Sequence, residues 1–81
     1  MIDVNDNNMT LANLQKGKDA RVIAVNGEST VMRRLMEMGV IPGVDIRMIK
    51  SAPFGDPLEV RVRGYRLALR RNEADAIEIS I

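Results

Sequence analysis

The chain has no cysteine, no histidine and no tryptophan, and only one tyrosine and one phenylalanine among its 81 residues. Each absence removes a class of function. Without cysteine, no disulfide can staple so short a chain, and without a Cys/His set there is no zinc site of the usual donor chemistry. A selective ferrous site wants imidazole, thiolate or a mixed histidine–carboxylate set. Carboxylates alone, such as Asp56 and Glu59, suit harder ions, and at the base of a hairpin they are normally just solvated. The common catalytic routes fail on the same ground: no serine stands beside a plausible base, and no G-x-x-x-x-G-K-[ST] phosphate loop occurs. Neither an enzyme nor a carrier of a metal or cofactor is expected. Tyr65 and Phe54 are the only aromatic platforms on which a nucleic-acid base could stack.

Other shortages bear on location. No apolar run approaches the ~20 residues that span a bilayer. The opening MIDVNDNN carries neither the basic nor the apolar region of a secretory signal. A cytoplasmic protein with no direct membrane insertion is expected. Charge is nearly balanced, 12 Lys and Arg against 11 Asp and Glu, which argues against a nucleic-acid footprint over the whole domain.

What is present reads as one small β domain. Residues 1–8, rich in Asn and Asp, read as a flexible polar tail, and residues 9–81 as a single domain. Leu11 and Leu14 can dock on a core, and Gly17 between two lysines marks a turn. Arg21 to Val25 is a β-branched first strand, ended by Asn26-Gly27. Ser29 or Thr30 can cap a helix of about ten residues. On a helical wheel Val31, Leu35 and Met38 face the core, while Met32 and Met36 widen the apolar stripe to its rim. Gly39 stops the helix, and Ile41-Pro42-Gly43-Val44 is a type II turn. Asp45 to Ser51 reads as a strand in which Ile49 breaks the alternation. Two prolines make Ala52 to Pro57 a loop. Leu58, Val60 and Val62 alternate with charged residues, Gly64 permits a tight bend, and Tyr65, Leu67 and Leu69 supply the partner strand. A short helical turn over Arg71 to Asp75 and a last strand, Ile77 to Ile81, close the sheet. The fold class is mainly β: a small SH3-like barrel of about five strands, with one α-helix inserted between strands 1 and 2.

At this point the residues resemble a family. The run MRRLMEMGVIPGVDI, then SAPFGDPLEVRVRGYRLALRRNEADAIEI, and the opening LANLQKGKDARVIAV are similar to the FeoA family of ferrous-iron transport accessory proteins. The resemblance covers Met9 to Ile81. Its most specific pieces are Leu35, Gly39, Val40, Pro42 and Gly43 in that order, the Pro53-x-Gly55-Asp56-Pro57 loop, and Arg63-Gly64-Tyr65-x-Leu67-x-Leu69-Arg70. It implies an SH3-like barrel acting beside FeoB, the membrane ferrous-iron transporter with a cytoplasmic GTP-binding domain. The helix departs from the family pattern in carrying Met32, Met36 and Met38 where leucine is common.

Two surfaces emerge as candidates. The first is a partner-binding surface of Met32, Arg33, Met36, Val40 and Phe54, formed by the exposed edge of the helix, the turn after it and the proline-rich loop. Flexible thioethers suit such contacts, and an aromatic on a stiff loop either folds back or anchors a partner. The second is a basic face of Arg61, Arg63, Arg66 and Arg70, in a stretch that contains no acid. Arg61 and Arg63 are expected on one strand's outer face, and Arg66 and Arg70 on the next. That face is a solvated surface, a dock for an acidic protein, or a nucleic-acid site. The expected function is a protein-binding module that docks on FeoB and regulates Fe(II) uptake without holding iron. A small barrel binding nucleic acid is the alternative, and self-association stays open.

Overall fold

The strand Leu58–Val62 shows the logic of the whole sheet. Leu58, Val60 and Val62 are buried, while Glu59 and Arg61 between them face outward, as a period of two requires. The computed structural model describes residues 9–81; the polar tail expected over residues 1–8 lies outside the described residues. Among the described residues there are six strands: β1 (Met9–Thr10), β2 (Asp19–Val25), β3 (Asp45–Ser51), β4 (Leu58–Val62), β5 (Tyr65–Leu69) and β6 (Ile77–Ser80). They form one antiparallel sheet in the order β1-β6-β2-β3-β4-β5. The expected count was five; the two-residue strand β1 is the addition. Helix α1 (Ser29–Glu37) lies between β2 and β3, and α2 (Arg71–Asp75) between β5 and β6.

Two β-bulges curl this sheet. Between Val22 and Ala24 the register of β2 on β6 slips, so Ile23 is the extra residue. The slip lets both Val22 and Val25 point inward and leaves Ile23 exposed. A second slip between Met48 and Lys50 makes Ile49 the extra residue on β3, which is why the sequence loses its alternation there. The sheet's outer strands are β1 and β5. The gap between them is closed by α2, which packs on a 3₁₀ turn at Leu11–Asn13. Leu11 and Leu14 are buried there, as expected.

Glu73 is the one buried charged residue among those described. One carboxylate oxygen accepts the Arg70 backbone N–H at 2.9 Å, and the other meets the Arg34 guanidinium at 3.2 Å. The first contact satisfies an orphan donor at the start of α2; the second ties that helix to α1. Among the described residues no helix is long and apolar enough to cross a membrane.

Candidate functional site

Helix α1 is held by few contacts, and that leaves one flank available. Leu35 is its only fully buried side chain. Val31, Met32 and Met38 pack on the core while half-buried. The helix begins one residue earlier than its sequence suggests. Glu28 is the N-cap, with no side-chain cap bond, and Ser29 and Thr30 sit in the first turn. Gly27, at φ +95°, redirects the chain just ahead of it, and a Cβ there would lie 3.3 Å from that of Ala76.

The other end of α1 is a complete Schellman motif. The Val40 N–H donates to Leu35 O at 3.0 Å and the Gly39 N–H to Met36 O at 3.0 Å, with Gly39 at φ +95°. This motif places an apolar contact between the residue after the glycine and the one five positions back. Both Val40 and Leu35 are accordingly fully buried. Val40 therefore belongs to the core, which corrects its expected place on the contact surface.

Gly39 is also crowded. A Cβ there would lie 3.1 Å from Arg63 Cδ and 3.3 Å from the Tyr65 hydroxyl, and that hydroxyl donates to Met38 O at 3.4 Å. Left-handed backbone and close approach together select glycine. Gly39→Ala is expected to cost about 1–2 kcal/mol of stability, the usual penalty of left-handed backbone for a residue with a Cβ. A urea titration measures it; an unchanged midpoint would contradict this reading of the helix end.

The helix end, the type II turn and the outer flank of α1 together frame an apolar groove. The turn has its Val44 N–H donating to Ile41 O at 3.2 Å, and it is pinned to β2 by Gly43 N–H to Val22 O at 2.8 Å. The groove is lined by Ser29, Met32, Arg33, Met36, Glu37 and Ile41. Met36 is 42% exposed. The structure thus brings Met32, Arg33 and Met36 together and adds Ile41 from the turn that follows the helix.

Phe54 is elsewhere. It is 97% exposed at the tip of the β3–β4 loop, so it projects rather than folding back. Its loop is firmly held: Asp56 accepts the Arg71 backbone N–H at 3.1 Å, and Ala52 donates to Pro57 O at 3.0 Å. That loop lines a separate groove with Arg34, which lies on the far side of α1 from the methionine pair.

The expected basic face is rearranged. Arg61 and Arg66 are register partners on adjacent strands, and Arg47 of β3 pairs with Arg61 from the other side. Arg63 leaves the strand. With Gly64 it forms a two-residue turn in which both φ values are positive, 52° and 89°, the type I′ geometry of tight hairpins. Arg70 follows β5 and caps α2. The four arginines therefore do not share one face, which corrects the expectation; Arg47, Arg61 and Arg66 do.

Arg47 makes two hydrogen bonds to Asp19, at 2.8 and 3.0 Å. The hydrogen bond is the main reason the Asp19 carboxyl sits below its ordinary value of 3.8; a loss of surrounding water opposes it and the arginine charge adds to it. A carboxyl lowered on folding stabilises the fold above its unfolded pKa and loses that contribution as pH falls through the lowered value. Both groups are exposed, so the contribution is small and screened by salt. A carbon-detected titration is expected to place the Asp19 midpoint below 3.8, and Arg47→Gln to return it to the ordinary range; equal midpoints in both proteins would show the pair is not formed in solution.

Among known families, the model of the FeoA domain matches residues 9–81. The chain belongs to the FeoA family. It is similar to the Fe(2+) transport protein A/Fe(2+) transporter FeoB fusion protein of Porphyromonas gingivalis, 34% identical over 73 residues. That match takes in 90% of this FeoA chain but only 9% of the fusion protein's length. Among solved structures, the FeoA protein of Chlorobium tepidum aligns at 42% identity and a TM-score of 0.84, over 90% of this chain and 70% of its own. The FeoA of Stenotrophomonas maltophilia, crystallised with zinc, aligns at 36% identity and a TM-score of 0.79 over 89% of each chain. It is described as a prokaryotic SH3-domain protein and a candidate ferrous iron transport activating factor. The six-stranded barrel of this FeoA domain is of that SH3-like class.

Proposed function

We propose that this FeoA domain is a cytoplasmic protein-binding module that docks on FeoB and regulates Fe(II) uptake by contact, with neither a catalytic site nor a bound iron of its own. The observation that carries the reading is the apolar groove of Met32, Met36 and Ile41, set beside the Schellman-capped end of α1 and rimmed by Arg33 and Glu37. Exposed methionine on a firm frame suits a contact that must adapt to its partner. The fusion protein of P. gingivalis carries both names in one chain, and joining two modules raises their effective concentration without any new contact. Phe54 serves as a second, separate anchor.

The donor chemistry points the same way. The sequence has neither imidazole nor thiol, the donors a selective ferrous site wants. Regulation by contact requires that the domain prefer one state of the transporter, since a ligand with equal affinity for two states shifts nothing.

The test is isothermal titration of the full chain into the cytoplasmic region of FeoB, loaded with GDP or with a non-hydrolysable GTP analogue. Binding is expected, with affinity that differs between the two states. Absence of binding in both would overturn the proposal; equal affinity in both would remove regulation and leave only docking.

A further inference from the structure

We propose that the outward face of β3, β4 and β5 is a second interaction surface, which binds an acidic segment of a protein with Arg61 as its central cation. This does not rest on the methionine groove, which lies on α1. The observation is one of register. Arg61 on β4 stands directly between Arg47 on β3 and Arg66 on β5. Like charges opposed across strands destabilise a sheet, so a threonine or valine would be the easier residue at this position. Each flanking arginine already has a carboxylate partner, Arg47 in Asp19 at 2.8 Å and Arg66 in Glu59 at 3.1 Å; these exposed pairs weaken the repulsion on Arg61 without cancelling it. Glu59 is also approached by Lys50 at 3.9 Å. Among the described residues no carboxylate is left within ion-pair distance of Arg61. Arg61 is exposed, and with Arg47 and Arg63 it lines a shallow groove at the β4–β5 turn; the two carboxylates in the same lining, Asp19 and Asp45, are paired with Arg47 and Arg21. A partner's carboxylate seated there would meet a planar fork of donors and relieve the repulsion along the row.

The class of ligand follows from what surrounds the row. Single-stranded nucleic acid needs stacking surfaces, and none lies here: Tyr65 is turned to the end of α1, and Phe54 is at the opposite end of β4 from the Arg63-Gly64 turn. Asp19, Asp45 and Glu59 punctuate the face, so a uniformly anionic lipid surface or phosphate backbone would be repelled at three points. A protein segment with discrete carboxylates can place one on Arg61 and leave those positions clear.

The experiment follows the arginine side-chain Nε–H signals of the full chain at low salt during titration with an end-capped peptide of serine and glycine carrying one central glutamate, an oligothymidylate and phosphatidylserine vesicles. The Arg61 signal is expected to move with the peptide. Arg61→Thr should weaken peptide binding about tenfold, the loss of one charge-assisted bidentate contact, whereas Lys16→Thr, which removes an equal charge elsewhere, should not. Arg61→Thr should also raise Tm by about 2 °C or more, because it ends the repulsion within the row. A stationary Arg61 signal, unchanged affinity in Arg61→Thr, a lowered Tm, or tighter binding to oligothymidylate or vesicles would each overturn the proposal.

Discussion

Met36→Asp is expected to weaken docking on FeoB about thirtyfold, the effect of losing a central apolar contact worth ~2 kcal/mol. The substitution puts a charge into the groove of Met32, Met36 and Ile41, the contact surface proposed above, and a carboxylate buried there without a partner is costly. The fold should be spared. Met36 is 42% exposed, so little packing is lost. An acid near a helix C-terminus and a weaker helix former together cost about 1 kcal/mol. Met36→Gln separates the two causes, because it removes the thioether without adding charge; an intermediate loss of affinity is expected. The measurement is titration calorimetry beside a thermal melt. Wild-type affinity for both variants would take the helix flank out of the contact.

The second large effect is on the frame itself. Leu35→Ala should destabilise the domain by about 2–5 kcal/mol, the range for emptying a core leucine site. Here the upper part of that range is expected. Leu35 is the only fully buried residue of α1, and its partner Val40 shares the site through the Schellman motif. A domain of this size has only about 4–12 kcal/mol of stability in all. Urea titration should show the large shift, and docking should fall with it because the groove is made by α1 and the turn that follows. A loss below ~1 kcal/mol would mean that α1 is held by its half-buried residues instead.

Much of this arrangement was legible in the residue pattern, and the parts that were not have definite physical reasons. Alternation located β4 and β5, and the apolar stripe located α1, because these signals are local. Register is not local. The slips at Ile23 and Ile49 depend on which strand lies beside which, so the sequence showed only a broken alternation. The same limit hid Arg47. It is 14 positions from Arg61 in the chain yet faces it across the sheet, whereas Arg63 and Arg70, much nearer in sequence, are turned away by the I′ turn and the start of α2.

The two errors about side chains share another cause. Val40 follows a glycine in a turn-like run, and an apolar residue there is either exposed or the closing contact of a Schellman motif. Only the hydrogen bonds to Met36 and Leu35 decide between them. Ser29 and Thr30 have the chemistry of a cap, but Gly27 turns the chain one residue earlier and leaves the position to Glu28. The groove was legible to the extent that it is made of one helix face. Ile41 was not assigned to it because its place is set by the turn's bonds to β2.

Influence over iron, as proposed, passes through a protein surface on α1. Backbone amide mapping of the labelled full chain during titration with the cytoplasmic region of FeoB tests it most directly. Shifts are expected to concentrate at Ser29, Met32, Arg33, Met36 and Ile41. Shifts confined to other parts of the barrel, or a spectrum moved by Fe²⁺ and untouched by FeoB, would contradict it.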